Sequence, residues 1–216
     1  MIELLRSGPA DAPAVLLLAH GAGAPMTSAF LEGFAKLLAE RDLAVVRFEF
    51  GYMAARRTAG KRRPPPKAEL LSPEYVAAVD AARGTLRAGQ RLFIGGKSMG
   101  GRVASLVADQ LVDAGQVAGL ICLGYPFHPP RKPEALRTAH LLHMRAPVLI
   151  VQGENDPFGS RPEVDAFGLP THFRLHWAAG GDHDLKPRAG LGFTRAGNLE
   201  GAADAVASFM RAKETG

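Results

Sequence analysis

The chain has 216 residues, 47% apolar and 22% charged, which fits one ordinary globular domain large enough to bury a core without staples. Its one cysteine, Cys122, excludes an internal disulfide and reads as a buried thiol, and no apolar run approaches membrane-spanning length. The net charge of +5 is local: Arg56, Arg57, Lys61, Arg62, Arg63 and Lys67 stand together without an acid, and the remainder holds 20 basic and 21 acidic residues.

Taken in order, the chain alternates apolar runs of strand length with segments of helical spacing. Ile2–Leu5 reads as an edge strand, followed by a continuously apolar strand at Ala14–Ala19. That second run follows Asp11 and leads into His20-Gly21 rather than a small-residue cleavage site, so the cytoplasm is the expected compartment. Phe30, Leu31, Phe34, Leu37 and Leu38 then predict a helix over Ser28–Glu40, and Ala44–Phe48 a strand. A basic, proline-rich loop, Ala54–Lys67, contains Pro64-Pro65-Pro66 and is expected to be extended. Beyond it come a helix at Pro73–Leu86, a strand at Leu92–Gly95 and a helix at Ser98–Ala114. A strand at Gly119–Leu123, a helix at Glu134–Leu142 and a strand at Val148–Gln152 follow. A helical turn near Pro162, a strand at His172–Trp177 and a helix at Leu199–Ala212 complete the chain. The pattern predicts a single α/β domain over 1–216, with about six mostly parallel strands, helices on both faces and right-handed crossovers.

In such a sheet the functional loops gather at the C-terminal ends of the strands. Gly96-Lys97-Ser98-Met99-Gly100 falls there, directly after Leu92–Gly95 and before a helix. A strand turning sharply into a helix around Gly-x-Ser-x-Gly holds the serine exposed at a strained tip, and the glycines let the two sides of the turn approach. Two other readings fail. A phosphate-binding loop ending Gly96-Lys97-Ser98 needs glycine where Arg91 stands, and a dinucleotide fingerprint from Gly21 needs glycine where Met26 stands.

A serine hydroxyl needs a neighbouring base, and where it sits on such an elbow the acid and then the histidine follow in the chain. His172 and His176 alternate along a strand, so His183, in Gly180-Gly181-Asp182-His183-Asp184, is the candidate base. The acid is sought after Val148–Gln152: Asp156, fixed by Pro157, is the choice, with Glu154 in reserve. Asp182 and Asp184 read as solvated or loop-shaping. Met99 N–H and an N–H of the loop His20–Ala24, Ala22 first and Gly23 next, would form an oxyanion hole. His20 reads as a hydrogen-bonded loop anchor.

The motifs His20-Gly21-Ala22-Gly23, Gly95-Gly96-Lys97-Ser98-Met99-Gly100-Gly101-Arg102, Gln152 to Gly159 and Gly181-Asp182-His183 together resemble those of small α/β-hydrolases related to dienelactone hydrolases. The likeness is to short bacterial proteins whose relatives include a testis-expressed protein and a subunit of a chromatin acetyltransferase complex. Phe48 to Met53 and Lys61 to Pro66 fit the same subgroup, although a proline is usual where Gly51 stands. The resemblance spans Val15 to Met210 and implies the triad Ser98–Asp156–His183 and a strand order 2-1-3-4-5-6, counted without the edge strand. Only 124–147 could hold a lid, so a large cap domain is not expected.

The resulting expectation is a serine hydrolase cleaving a small-molecule ester or thioester through an acyl-enzyme, with no metal, cofactor or membrane required. The rival is a binding module that uses the same fold to dock a partner or nucleic acid. A complete Ser, Asp and His set favours catalysis, and nucleic acid needs more than one short basic loop on an otherwise neutral chain. The loop 54–67 is expected at the active-site rim. It reads either as solvated or as a patch where Lys61, Arg62 and Arg63 attract an anionic substrate, with Tyr52 and Tyr125 as apolar walls.

Overall fold

The computed structural model describes residues 2–59 and 64–212, with the backbone alone at 57–59. Among these residues seven strands form one sheet: β1 Leu4–Ser7, β2 Ala14–Ala19, β3 Ala44–Phe48, β4 Arg91–Lys97, β5 Leu120–Leu123, β6 Val148–Gly153 and β7 Arg174–Ala178. Their order is β1-β3-β2-β4-β5-β6-β7. All neighbours are parallel except β1, which pairs antiparallel with β3 at the edge.

Each central strand is covered on both sides, which is why its sequence is apolar without alternation. In β2, Val15, Leu17 and Ala19 join one buried cluster while Ala14, Leu16 and Leu18 join the other. Helices α1 (Ala29–Ala39) and α6 (Arg195–Arg211) pack together on one face, with Leu31, Phe34, Ala202 and Val206 buried against the sheet. On the opposite face α3 (Ser72–Arg83) packs beside α4 (Met99–Asp113), burying Tyr75, Val79, Val103 and Val107. The remaining helices are α2 (Gly51–Ala59), which follows β3, and α5 (Arg161–Ala166), which follows β6.

Two expected segments differ. The chain after β3 is not extended from Ala54: α2 runs to Ala59, started by the N–H groups of Met53 and Ala54 donating to the Phe50 carbonyl. Met53 is buried and anchors that first turn, whereas the chain at 64–67 is neither helix nor strand. The expected helix at Glu134–Leu142 is replaced by turns, with one 3-10 turn at Leu141–His143. There the Arg137 N–H donates to the Phe127 carbonyl 2.7 Å away, so the segment is tied to the loop after β5 instead of to itself. Leu136 is 49% exposed, so the segment also lacks the buried stripe that would hold a helix.

Candidate active site

β4 ends at Lys97 and α4 begins at Met99, leaving Ser98 alone in the turn with φ 52° and ψ −117°. A non-glycine residue there is strained, and the surroundings enforce it. The Ser98 N–H donates to the Leu123 carbonyl at 2.9 Å, extending the sheet, while the Ser98 carbonyl accepts from Arg102 N–H at 3.1 Å, starting the helix. The flanking glycines are steric necessities: a Cβ on Gly96 would stand 2.3 Å from the Gly100 carbonyl carbon. One on Gly100 would stand 2.6 Å from the His20 carbonyl oxygen. Behind the elbow, the buried Tyr75 hydroxyl donates to the Gly95 carbonyl at 2.7 Å and fixes the end of β4.

Beyond β7 the chain brings His183 over this turn. Its Nε2 lies 2.8 Å from Ser98 Oγ, and its Nδ1 lies 2.8 Å from Asp156 Oδ2. Asp156 is completely buried, so its charge must be met by hydrogen bonds. Oδ1 accepts from the Phe158 N–H at 2.8 Å, and Oδ2 from the Gln152 side-chain amide at 3.0 Å as well as from His183. The carboxylate bond fixes the proton on Nδ1, leaving Nε2 to accept from the serine hydroxyl. Phe158 covers the imidazole, with ring centroids 4.2 Å apart.

Glu154 points elsewhere. Its carboxylate accepts from the Gly180 N–H at 2.8 Å and pairs with Arg161 at 3.0 Å. The Gly180 N–H holds its pKa below the usual carboxylate value, with burial opposing and Arg161 adding to the lowering. Asp182 shapes the loop, accepting from the N–H groups of Asp184 and Lys186 at 2.8 and 3.0 Å. Asp184 instead pairs with Lys97 at 3.3 Å.

On the other side of Ser98, the N–H groups of Ala22 and Met99 have no hydrogen-bond partner among the described residues. Met99 N–H belongs to the open first turn of α4, whose dipole adds positive potential there. The loop carrying Ala22 is held by two aromatic residues. His20 is buried; its Nε2 accepts from Phe50 N–H at 3.1 Å, so Nδ1 donates to the Gly21 carbonyl at 2.7 Å. Burial lowers its pKa and keeps it neutral, the mark of an anchor. The Tyr52 hydroxyl donates to the Ala22 carbonyl at 3.0 Å, and burial pushes its pKa up to about 12.

Two open clefts meet at Ala22, Ser98 and Phe158. The larger, about 960 Å³, is lined by Pro65, Pro66, Lys67, Leu70, Met99, Arg102 and Arg137 among others. The smaller, about 350 Å³, is lined by Phe30, Leu31, Lys97, His183 and Asp184. Neither is lined by Tyr52 or Tyr125. Tyr125 is fully buried against Phe127, with its hydroxyl donating to the Arg137 carbonyl, so it cannot be an apolar wall for a substrate. Tyr52 acts on the Ala22 loop rather than forming a cleft wall. Lys61, Arg62 and Arg63 lie outside the described residues.

Three cations near Ser98 were not singled out as site residues from sequence. Lys97 is nearly buried; its ammonium donates to the His183 carbonyl at 2.7 Å and lies 5.4 Å from the Phe30 ring centroid. Burial lowers its pKa, with the carboxylates of Asp184 and Asp156 pulling the other way. A cation at the end of an otherwise apolar strand was the available signal. Arg102 and Arg137, by contrast, reach the cleft from α4 and from the segment after β5, which only the fold brings together. Among the described residues, no group of three or more His, Cys, Asp or Glu side chains is placed to hold a metal ion. No described helix is long and apolar enough to cross a membrane.

A parallel sheet wrapped by helices, with a strained serine at the β4–α4 turn, defines the α/β-hydrolase class. The chain belongs to the alpha/beta hydrolase domain family, whose model matches residues 12–211. Among solved structures it is similar to a dienelactone hydrolase from Anabaena variabilis, at 21% identity and TM-score 0.70 over 96% of this chain and 90% of that one. Est1E from Butyrivibrio proteoclasticus matches at 17% identity and TM-score 0.69, covering 97% of this chain and 93% of the other. A monoacylglycerol lipase from Paleococcus ferrophilus matches at 13% identity and TM-score 0.67, covering 97% and 99%. At these identities the likeness is one of fold, and family and fold together support a hydrolase activity.

Proposed function

We propose that this chain is a serine hydrolase that cleaves a carboxylic ester or thioester through an acyl-enzyme on Ser98. The observation that carries the reading is one imidazole joining the Ser98 hydroxyl to a buried carboxylate, at 2.8 Å on each side. In this reading Ser98 Oγ attacks the carbonyl carbon while His183 Nε2 takes its proton. Asp156 holds the ring in the required tautomer and stabilises the imidazolium. The tetrahedral oxyanion sits between the Ala22 and Met99 N–H groups. His183 then returns the proton to the departing alkoxide or thiolate, and water, activated by the same imidazole, releases the acid. The unpartnered N–H pair and the strained serine support this assignment over a binding module that merely keeps the fold.

A fluorophosphonate probe tests it without a known substrate. Labelling of the wild type and loss of labelling in Ser98→Ala is the expected result; equal labelling of both places the nucleophile elsewhere, and no labelling of either favours the binding-module reading. The same proposal includes segment 54–67 bordering the site, with Lys61, Arg62 and Arg63 drawing in an anionic substrate. Its support is that Pro65, Pro66 and Lys67 line the Ser98 cleft. Such steering weakens as salt rises.

A further inference from the structure

The two clefts at Ser98 differ in charge and in their relation to His183. A leaving group must lie where His183 Nε2 can protonate it, and the smaller cleft is the one lined by His183. The acyl chain of a bound ester then extends the other way, into the larger cleft, which His183 does not line. That cleft has apolar walls in Pro65, Pro66 and Leu70, and its charged lining is Lys67, Arg102, Arg137 and a single acid, Glu69.

Glu69 is already engaged: it pairs with Arg102, another residue of the same lining. Arg137 has no carboxylate within ion-pair distance among the described residues; its guanidinium reaches only the Pro126 carbonyl, at 3.5 Å. It is also partly buried, and its pKa is lowered first by desolvation and then by the neighbouring Arg102 charge. A half-buried guanidinium beside a second one, with one carboxylate between the two, leaves an uncompensated positive charge facing the cleft. Its backbone is independently fixed, since the Arg137 N–H bonds the Phe127 carbonyl and its carbonyl accepts from Tyr125. The side chain is therefore presented by a rigid support, the arrangement that favours planar, two-point recognition of a carboxylate.

Resting on the serine-hydrolase reading, we propose that Arg137, with Arg102 beside it, forms a carboxylate-binding site for the far end of the acyl chain. The substrate class is then the half-ester or half-thioester of a short dicarboxylic acid. A matched pair of esters tests this: mono-para-nitrophenyl glutarate and its uncharged methyl ester. Wild type should prefer the charged ester, and Arg137→Gln should reduce that preference about 10- to 100-fold, mainly through KM. Arg137→Lys should recover part of it. Arg145→Gln removes the same charge from a residue paired with Asp109 and Asp113, away from the cleft, and should leave the preference intact.

A preference unmoved by Arg137→Gln, or moved equally by Arg145→Gln, overturns the carboxylate site; continued hydrolysis of the uncharged ester would leave the Ser98 chemistry standing. The site is also readable without turnover. Calorimetric binding of monomethyl glutarate to Ser98→Ala should weaken at least tenfold when Arg137→Gln is added. Undiminished binding in that double variant overturns the proposal even if neither ester is hydrolysed.

Discussion

Among the described residues, two serine–histidine pairs have the same separation. Ser98 Oγ lies 2.8 Å from His183 Nε2, and Ser105 Oγ lies 2.8 Å from His140 Nε2. Distance alone would rank them equally; their surroundings do not. Ser105 sits inside α4, 3% exposed, and its hydroxyl donates to the Arg102 carbonyl at 2.7 Å. That leaves His140 to donate its Nε2–H to Ser105 Oγ, so the imidazole is not placed to take the serine proton. No carboxylate is hydrogen-bonded to the other nitrogen of His140 among the described residues, and Ser105, inside a helix, has no free N–H groups beside it. Ser98 has all that Ser105 lacks: a strained, accessible position, an imidazole oriented by a buried carboxylate, and two unpartnered N–H groups. A nucleophile is defined by this set of conditions, of which the serine–histidine contact is one.

The contrast yields its largest test at the two hydroxyls. Ser98→Ala should lower turnover of an activated ester by roughly 10⁴–10⁶-fold, whereas Ser105→Ala should change it by less than about tenfold. A comparable loss in both would make the pairs functionally equivalent and undo the distinction. The next test moves to the acid. Asp156→Asn should cost on the order of 10⁴-fold by mis-setting the His183 tautomer, while Glu154→Gln, which disturbs only the Gly180 and Arg161 contacts, should cost less than about tenfold. Reversed penalties would transfer the acid role to Glu154.

Much of this arrangement could be read along the chain, and the exceptions have physical reasons. β2 and β3 begin and end where their apolar runs do, because strands covered on both faces admit a polar residue only where a hydrogen-bond partner meets it. Arg47 is such a residue: it is buried in β3 and donates to the Met26 carbonyl at 2.8 Å. α2 was obscured because its alanines precede a basic, proline-rich run that dominates the local composition. Ser98, Asp156 and His183 were named from motif and chain order, and those side chains lie within hydrogen-bond reach of one another; their catalytic role remains the proposal. Tyr125 was misplaced because an aromatic residue after a strand can face a cleft or the core, and sequence does not say which. Arg137 carries no local signal at all, since its setting depends on Arg102, Glu69 and Pro126 arriving from separate segments.

Lys97 offers a subtler way to sharpen the comparison. It joins the elbow to the histidine loop through the His183 carbonyl and Asp184, a tie for which the Ser105 pair has no counterpart. Lys97→Met removes the donor while keeping much of the buried stem. It should lower kcat about tenfold with little change in KM, because a loosened His183 weakens proton transfer more than substrate binding. A rise in KM at constant kcat would instead make Lys97 a substrate contact of the smaller cleft.

The smallest effect concerns the proton that His140 does not carry. Burial, and then the nearby Arg102 charge, lower its pKa from the ordinary 6.5, so the folded protein holds this ring neutral where the unfolded chain begins to charge it. Unfolding therefore takes up a proton as pH falls below about 6.5, and the folded state loses stability in that direction. The stabilisation is complete above the unfolded value and disappears as pH drops through the folded one. His20 and His176 are shifted the same way, each chiefly by burial, so the wild type should show a pronounced acid slope. One histidine contributes at most about 1.4 kcal/mol per pH unit. Urea midpoints between pH 5 and 8 should thus fall less steeply for His140→Gln than for wild type, even if the variant is less stable at pH 8 through the lost Ser105 bond. Superimposable slopes would mean that His140 charges freely in the fold, and the Ser105 pair would no longer be the neutral, structural member of the two.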